Sequence, residues 1–345
     1  MFNNKEKSAL ITDNSYGIDM GTCNLKIICK NDDSIINVKN TIAIVKKNQI
    51  YAYGDEAYAM YEKAPDNIQV CFPIDKGVIS HFNNMQALIF EVIEQNTKAR
   101  LKGCDFVVAV PTDITEVEKR AFFDMFFKSS IHPKNVLLVE KPLAAAVGIG
   151  LDISKPTGVM VVDMGADTTE ISVISLGGLV ISQLLPFGGF RMDDSIVKYL
   201  RTQYNLYIGK KSAMQLKESI GCAMPLEGEE MGTAPAVGRD VVSGLPISMD
   251  ISGQMIYEAI QSDLESICEA IKAILERVPP EVAKDIVASG IYLTGGGSQI
   301  KGLPELFNEI TNIKINPSVD AQNNVVRGLD VIVSDSRYKD IPFRM

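Results

Sequence analysis

The chain has 345 residues, 46 % of them hydrophobic, and a formal charge of −9. This length fits about two domains of ordinary size, and an acidic chain with no basic run excludes nucleic acid as the main partner. No stretch reaches the roughly 18–20 uninterrupted apolar residues of a membrane span, the N-terminal segment lacks the apolar run of a signal peptide, and six scattered cysteines without a CxxC pair exclude a disulfide framework or a zinc site. A cytoplasmic location is the expectation.

In chain order, apolar runs predict strands at Tyr16–Met20, Leu25–Lys30 and Thr41–Val45. A helix over Met85–Thr97, a strand at Phe106–Val110, a helix over Ile114–Ser129, a strand at Val136–Val139 and a helix over Pro142–Gly150 follow. A second series starts with strands at Val159–Asp163, Ile171–Leu176 and Leu179–Leu185. It continues with helices over Asp193–Tyr204, Ser212–Ile220 and Ser252–Val278, a strand at Ile291–Thr294 and a helix over Leu303–Ile310. Strands alternating with helices predict an α/β fold, and runs bounded by Gly or Asp predict strands buried on both faces. The Gly- and acid-rich stretch Pro225–Gly244 reads as loop-rich, and the mixed-charge tail Ser334–Met345 as peripheral.

The two series begin alike. A strand, Asp-x-Gly and a second strand occur at Gly17–Lys30 and again at Val159–Leu176, which predicts two related lobes. In GIDMGTCN, Asp19 ends the strand, Gly21 is expected to turn the chain with positive φ, and the amides of Thr22, Cys23 and Asn24 become candidates for phosphate oxygens. Asp19 repels phosphate unless Mg²⁺ or its waters lie between them. In VVDMGADTTE, Asp163 takes the same place, Gly165, Ala166 and Asp167 form the turn, and Thr168 adds a hydroxyl. One such hairpin is an ordinary turn; two in matching contexts suggest a polyphosphate clamp. A third glycine cluster, Gly295, Gly296 and Gly297 with Ser298 and Gln299, lies between a strand and a helix. There it serves either as a connector or as backbone that a ligand approaches.

From about Tyr16 to about Ile332 the chain resembles the actin-like ATPases and, within them, the MreB family of bacterial cell-shape filament proteins. The resemblance rests on an ordered set of motifs: GIDMGTCN, PIDKGVI, VPTDITEVEKRA, VEKPLAAAVGIGL, VVDMGADTTEISVISLGG, GGFRMDDSIVKYLR, IGKKSAMQLKESIGCA, PPEVAKDI and LTGGG. It implies an α/β, actin-like two-lobed fold of duplicated ribonuclease-H-like domains with a nucleotide cleft between the lobes. The first lobe would be residues 1–152 plus about 325–345, with an insertion at about 31–70. The second would be 153–324, with an insertion at about 190–250.

By the same resemblance ATP and Mg²⁺ are the cofactors. Asp19 and Asp163 would hold the metal through water; Thr22, Cys23, Asn24 and Gly165–Thr168 would meet phosphate. Lys217 and Gly295–Gln299 would lie beside the nucleoside. The implied activity is assembly into membrane-associated filaments that organise cell-wall synthesis, regulated by ATP turnover.

Four positions depart from the family pattern. Lys141 stands where the family has the glutamate that orients the attacking water, and a protonated lysine accepts no hydrogen bond from water. Slow hydrolysis, with Lys141 turned to phosphate, is therefore expected, and a hydrolysis-deficient scaffold is the alternative. A kinase of the same fold would need a carboxylate base beside its acceptor, and none is evident. Asp167 adds charge to a turn that is all glycine in the family, Met214 replaces a nucleoside-binding glutamate, and Leu329-Asp330 replace small residues.

Phe122, Phe123, Phe126 and Phe127 cover a wide arc of one helix. That arc is either a deeply buried helix or a face meeting a second copy in paired protofilaments. Residues Met1–Ser15 lack a sustained amphipathic pattern, so membrane contact is expected through an apolar loop around Phe82 or through a membrane-bound partner.

Overall fold

The computed structural model describes residues 14–30, 34–45, 49–97, 102–225 and 231–345. The chain divides into two compact units. The first comprises the chain up to Pro156 with Ile174–Leu179 and Asn323–Met345; the second comprises Thr157–Val173 and Val180–Gln322.

In the first unit, β1 (Ser15–Met20), β2 (Asn24–Cys29) and β3 (Ile35–Lys39) form an antiparallel meander. Next come β4 (Ile42–Val45), β5 (Gln49–Tyr53), α1 (Gly54–Met60) and β6 (Gln69–Cys71), a small three-stranded sheet with its helix. Two short strands, β7 (Ile74–Asp75) and β8 (Val78–Ile79), lead to α2 (Phe82–Asn96), β9 (Asp105–Val110), α3 (Glu116–Phe127), β10 (Asn135–Glu140) and α4 (Lys141–Ile149). The main sheet has the order β10-β9-β1-β2-β3, with β9 parallel to both β1 and β10. Every residue of β1 and β9 is buried, as expected of parallel strands covered on both faces.

The second unit repeats this plan. Its strands are β11 (Val159–Met164), β12 (Thr169–Ser175) and β13 (Gly178–Leu185), followed by α5 (Gly189–Tyr204), β14 (Leu206–Tyr207) and α6 (Lys210–Ile220). Then come β15 (Thr233–Asp240), β16 (Pro246–Ser252), α7 (Gly253–Arg277), α8 (Pro280–Ser289), β17 (Ile291–Thr294), α9 (Leu303–Thr311) and β18 (Ile315–Pro317). Its main sheet runs β13-β12-β11-β17-β18, the same order of roles as in the first unit.

The last helix, α10 (Asn324–Ser334), returns to the first unit and crosses α4. Pro142 lies in the first turn of α4, and Gly150 caps its end with φ +97. A Cβ on Gly148 would lie 1.8 Å from the Asn324 carbonyl oxygen, and one on Gly328 would lie 1.7 Å from that of Ala144. The two helices therefore touch backbone to backbone, a contact that only glycine permits on both sides. Leu329, a departure from the family pattern, is buried in this helix and fills the space over Gly17 of β1.

Several expectations are corrected. Phe122, Phe123 and Phe126 are core residues, with Phe126 against Phe106 and Phe90; only Phe127 is exposed, at 56 %. The wide aromatic arc is a buried helix, fixed at its start by a capping box between Thr115 and Glu118. Phe82 opens α2 and packs on the core, so it is not at the tip of an apolar loop.

Within Pro225–Gly244 lies β15, which pairs with β16 along its length. Pro235 is tolerated there because, among the described residues, β14 pairs only with Arg239 and Asp240 of β15. The tail is not peripheral either: Phe343 and Leu138 exchange backbone hydrogen bonds of 3.0 and 2.8 Å, covering the edge of β10. Residues 1–13, most of the segment assessed for membrane binding, lie outside the described residues.

Candidate functional site

In the first unit the parallel strands β1, β9 and β10 all end on one edge, where Met20, Val110 and Glu140 stand side by side. Ligands of α/β sheets bind beyond such carboxyl ends. The turn after β1 is closed by the Gly21 amide donating to the Asn24 carbonyl at 3.1 Å. Gly21 does not take the expected positive φ. Its small size matters instead, because a Cβ would lie 2.9 Å from the Asn24 oxygen.

Asn40 braces the turn: its side chain donates to the Gly21 carbonyl at 2.7 Å and its amide to the Cys23 carbonyl at 2.9 Å. In a trans peptide the next N–H points opposite to the carbonyl. The amides of Thr22 and Asn24 are thus turned away from Asn40. Lys39 reaches the same turn, 3.2 Å from Asn24 Oδ1 and 3.4 Å from Cys23 Sγ.

Asp19 is 4 % exposed and holds two ion pairs. Lys141 Nζ lies 3.0 Å from Oδ1, and Lys26 Nζ, across the hairpin, lies 3.7 Å from Oδ2. Burial pushes this carboxyl up, but Lys141 and then Lys26 outweigh it and hold the group below the usual aspartate range. Lys141 is the first residue of α4 and Glu140 the last of β10, so the two neighbours belong to different elements. Burial pushes the Glu140 carboxyl up, with Lys119 of α3 pulling the other way.

The resemblance implies Mg²⁺ beside Asp19. A magnesium site uses oxygen donors, whereas here the carboxylate is already matched by two ammonium groups. This donor set does not fit a divalent ion. Among the described residues no group of three or more His, Cys, Asp and Glu could hold a metal.

In the second unit the turn has the same closure, Gly165 amide to Thr168 carbonyl at 2.8 Å. Here the brace is the start of α5: the amides of Gly189 and Phe190 donate to the carbonyls of Gly165 and Ala166 at 3.1 and 2.6 Å. The amides of Ala166 and Asp167 therefore turn away from α5.

Lys217, expected beside the nucleoside, is buried beneath this brace. It donates to the Gly189 carbonyl at 2.7 Å and pairs with Asp193 at 2.6 Å. Burial pushes the Asp193 carboxyl up to about 6, with Lys217 pulling the other way. Met214 sits one helical turn before Lys217 on α6.

Asp163 lies beside Thr294 of β17 in the parallel register. Gly295 follows with φ +82, and a Cβ there would lie 2.4 Å from Asp163 Oδ1 and 2.3 Å from the Met164 oxygen. Gly296, Gly297, Ser298 and Gln299 form a 3-10 turn, so the cluster is ordered structure rather than a slack connector. Ser298 Oγ donates to the Gly295 carbonyl at 2.7 Å, and Gln322 donates to Gln299 at 3.1 Å.

Sequence reasoning missed Asn40, Lys26, Lys39 and the Gly189–Phe190 brace. Lys26 was accessible: Asp19 and Lys26 are equidistant from the centre of the Gly21–Asn24 turn, hence cross-strand partners. Asn40 and Lys39 come from the far end of β3, and no local pattern points from them to the turn.

Two sheets of matching order, each presenting an Asp-x-Gly hairpin beside the end of its central strand, define an actin-like protein. The MreB/Mbl protein family model matches residues 13–340, and the chain belongs to that family. It is 34 % identical to the cell shape-determining protein Mbl of Bacillus subtilis (strain 168) over 322 residues, covering 92 % of this chain and 95 % of the relative. It is 35 % identical to the cell shape-determining protein MreB of Escherichia coli (strain K12), covering 91 % of this chain and 92 % of the relative. The crystal structure of MreB 5 of Spiroplasma citri bound to AMPPNP superposes with a TM-score of 0.88 at 30 % identity, over 92 % of this chain and 95 % of that one.

Proposed function

We propose that the chain is an ATP-binding actin-like protein that assembles into membrane-associated filaments in the cytoplasm and takes part in determining cell shape. The observation that carries this reading is the pair of hairpins with the same closure, Gly21 to Asn24 and Gly165 to Thr168. Each has carbonyls claimed from behind, so that Thr22 in one and Ala166 and Asp167 in the other direct amides away from the brace. Oriented backbone amides of this kind favour phosphate oxygens. Asp163 and the turn Gly295–Gln299 complete the second unit's share, with Thr168 as a hydroxyl at the phosphate end. Nucleotide-bound and cell-shape relatives support the same assignment.

Hydrolysis is slow in this reading. The position of the family's water-orienting glutamate carries Lys141, whose ammonium is directed at Asp19. That observation favours a second reading, a nucleotide-binding scaffold without turnover. Membrane attachment is through a membrane-bound partner or a surface other than Phe82; among the described residues no helix is long and apolar enough to cross a membrane.

Sedimentation with ATP, with a non-hydrolysable analogue and without nucleotide, read together with phosphate release, separates the readings. Nucleotide-dependent pelleting with slow release supports the filament. Nucleotide binding without pelleting supports the scaffold, and failure to bind ATP refutes both.

A further inference from the structure

Three lysines converge on the first hairpin against one carboxylate. Lys141 and Lys26 contact the two oxygens of Asp19, and Lys39 contacts Asn24 Oδ1 and Cys23 Sγ. The local balance is therefore positive at a turn whose Thr22 amide faces away from its brace. Such a place attracts a polyphosphate and repels a divalent cation.

An ammonium and a metal ion compete for the same Asp19 oxygens. The ammonium is anchored to the first residue of α4, so its effective concentration is fixed by the fold rather than by the solution. Mg²⁺ also gives up its water reluctantly, and needs oxygen ligands that this corner does not gather.

We propose that Lys141 is a built-in counter-cation for the nucleotide's phosphates, replacing a divalent ion at Asp19 and making ATP binding independent of metal. This rests on the ATP-binding reading above. Asp19 then acts as a positioning residue: it holds the Lys141 ammonium at 3.0 Å, beside the turn, ready to be shared with a phosphate oxygen. A lysine gives a point charge with rotatable donors, suited to a γ- or β-phosphate oxygen, and orients no attacking water.

The test is calorimetric titration of the full chain with ATP, once in excess EDTA and once in excess Mg²⁺. The native protein is expected to bind with dissociation constants within about threefold of each other. Lys141→Glu, which restores an acid, is expected to bind only with Mg²⁺, weakening by about thirtyfold or more in EDTA. Lys141→Arg keeps the cation and is expected to remain metal-independent, which covers the case in which Lys141→Glu does not fold. A loss of about tenfold or more in EDTA by the native chain overturns this inference and leaves the ATP-binding reading standing. Lack of binding by the native chain in both media overturns the ATP-binding reading, and this inference falls with it.

Discussion

Lys141→Met removes the ammonium beside Asp19 and keeps a stem of similar length. Asp19 is 4 % exposed, so the variant leaves a buried carboxylate with only Lys26, at 3.7 Å. Breaking a buried pair costs about 3–5 kcal/mol; the surviving lysine argues for the lower end, about 3 kcal/mol. For a unit of this size that lowers the melting temperature by roughly 6–12 °C.

The pH dependence has a definite sign. In the native chain the Asp19 carboxyl is held below its ordinary value, so its contribution is present above about pH 3.9 and is lost as the pH falls further, through the folded value. In the variant, burial acts against the charged form with less opposition. The penalty is therefore full at neutral pH and shrinks towards pH 4 as Asp19 takes up a proton. Thermal denaturation from pH 4 to 8, with Lys141→Arg as the control, measures it. A loss below about 1 kcal/mol at neutral pH, or one that does not change with pH, would refute the reasoning.

Gly148→Ala places a methyl group 1.8 Å from a backbone oxygen of α10 and is expected to disrupt the first unit, read as loss of its cooperative transition in a melt. Gly295→Ala meets Asp163 at 2.4 Å and a positive φ; it is expected to weaken ATP binding while near-ultraviolet dichroism stays native. Phe126→Ala should cost about 3–5 kcal/mol in denaturant unfolding, whereas Phe127→Ser should stay within about 0.5 kcal/mol. Relative to Asp193→Asn, the native chain should lose roughly 2 kcal/mol between pH 4 and pH 6.5. Its carboxyl, pushed up to about 6 by burial, is neutral at the acid end and must ionise in a dry site as the pH rises.

The central strands were legible because burial on both faces writes them as short, largely apolar runs with Asp, Gly or Pro at their ends: β1, β9, β11 and β17 fall within a residue or so of expectation. The insertion strands were not. β15 carries Pro235 and Gly238 and so reads as a loop, and its pairing comes from β16 along its length and from β14 at its end. The aromatic arc of α3 was visible as a pattern, but whether a second copy or the protein's own core covers it depends on how α2 and β9 pack against it, which the helix's own residues do not specify.

At the site, both aspartates and both turns stood out as motifs. The partner of Lys141 did not, because the pairing is set by parallel registry of β1, β9 and β10 across more than one hundred residues of intervening chain. Lys141, expected at phosphate, is paired with Asp19.

The glycine-to-glycine crossing of α4 and α10 has a consequence for how the chain is born. Synthesis runs from the N-terminus, and domains tend to fold as they emerge. The apolar face of α4, with Ala144 and Val147 buried, is covered by a helix that leaves the ribosome only after the whole second unit has been made. The part of the protein translated first is therefore completed last. The second unit has all of its own sheet in hand earlier, and the nascent first unit must be kept from misassociation until Asn324–Ser334 arrives. A C-terminal deletion of this helix is, in effect, a defect at the N-terminal end of the molecule.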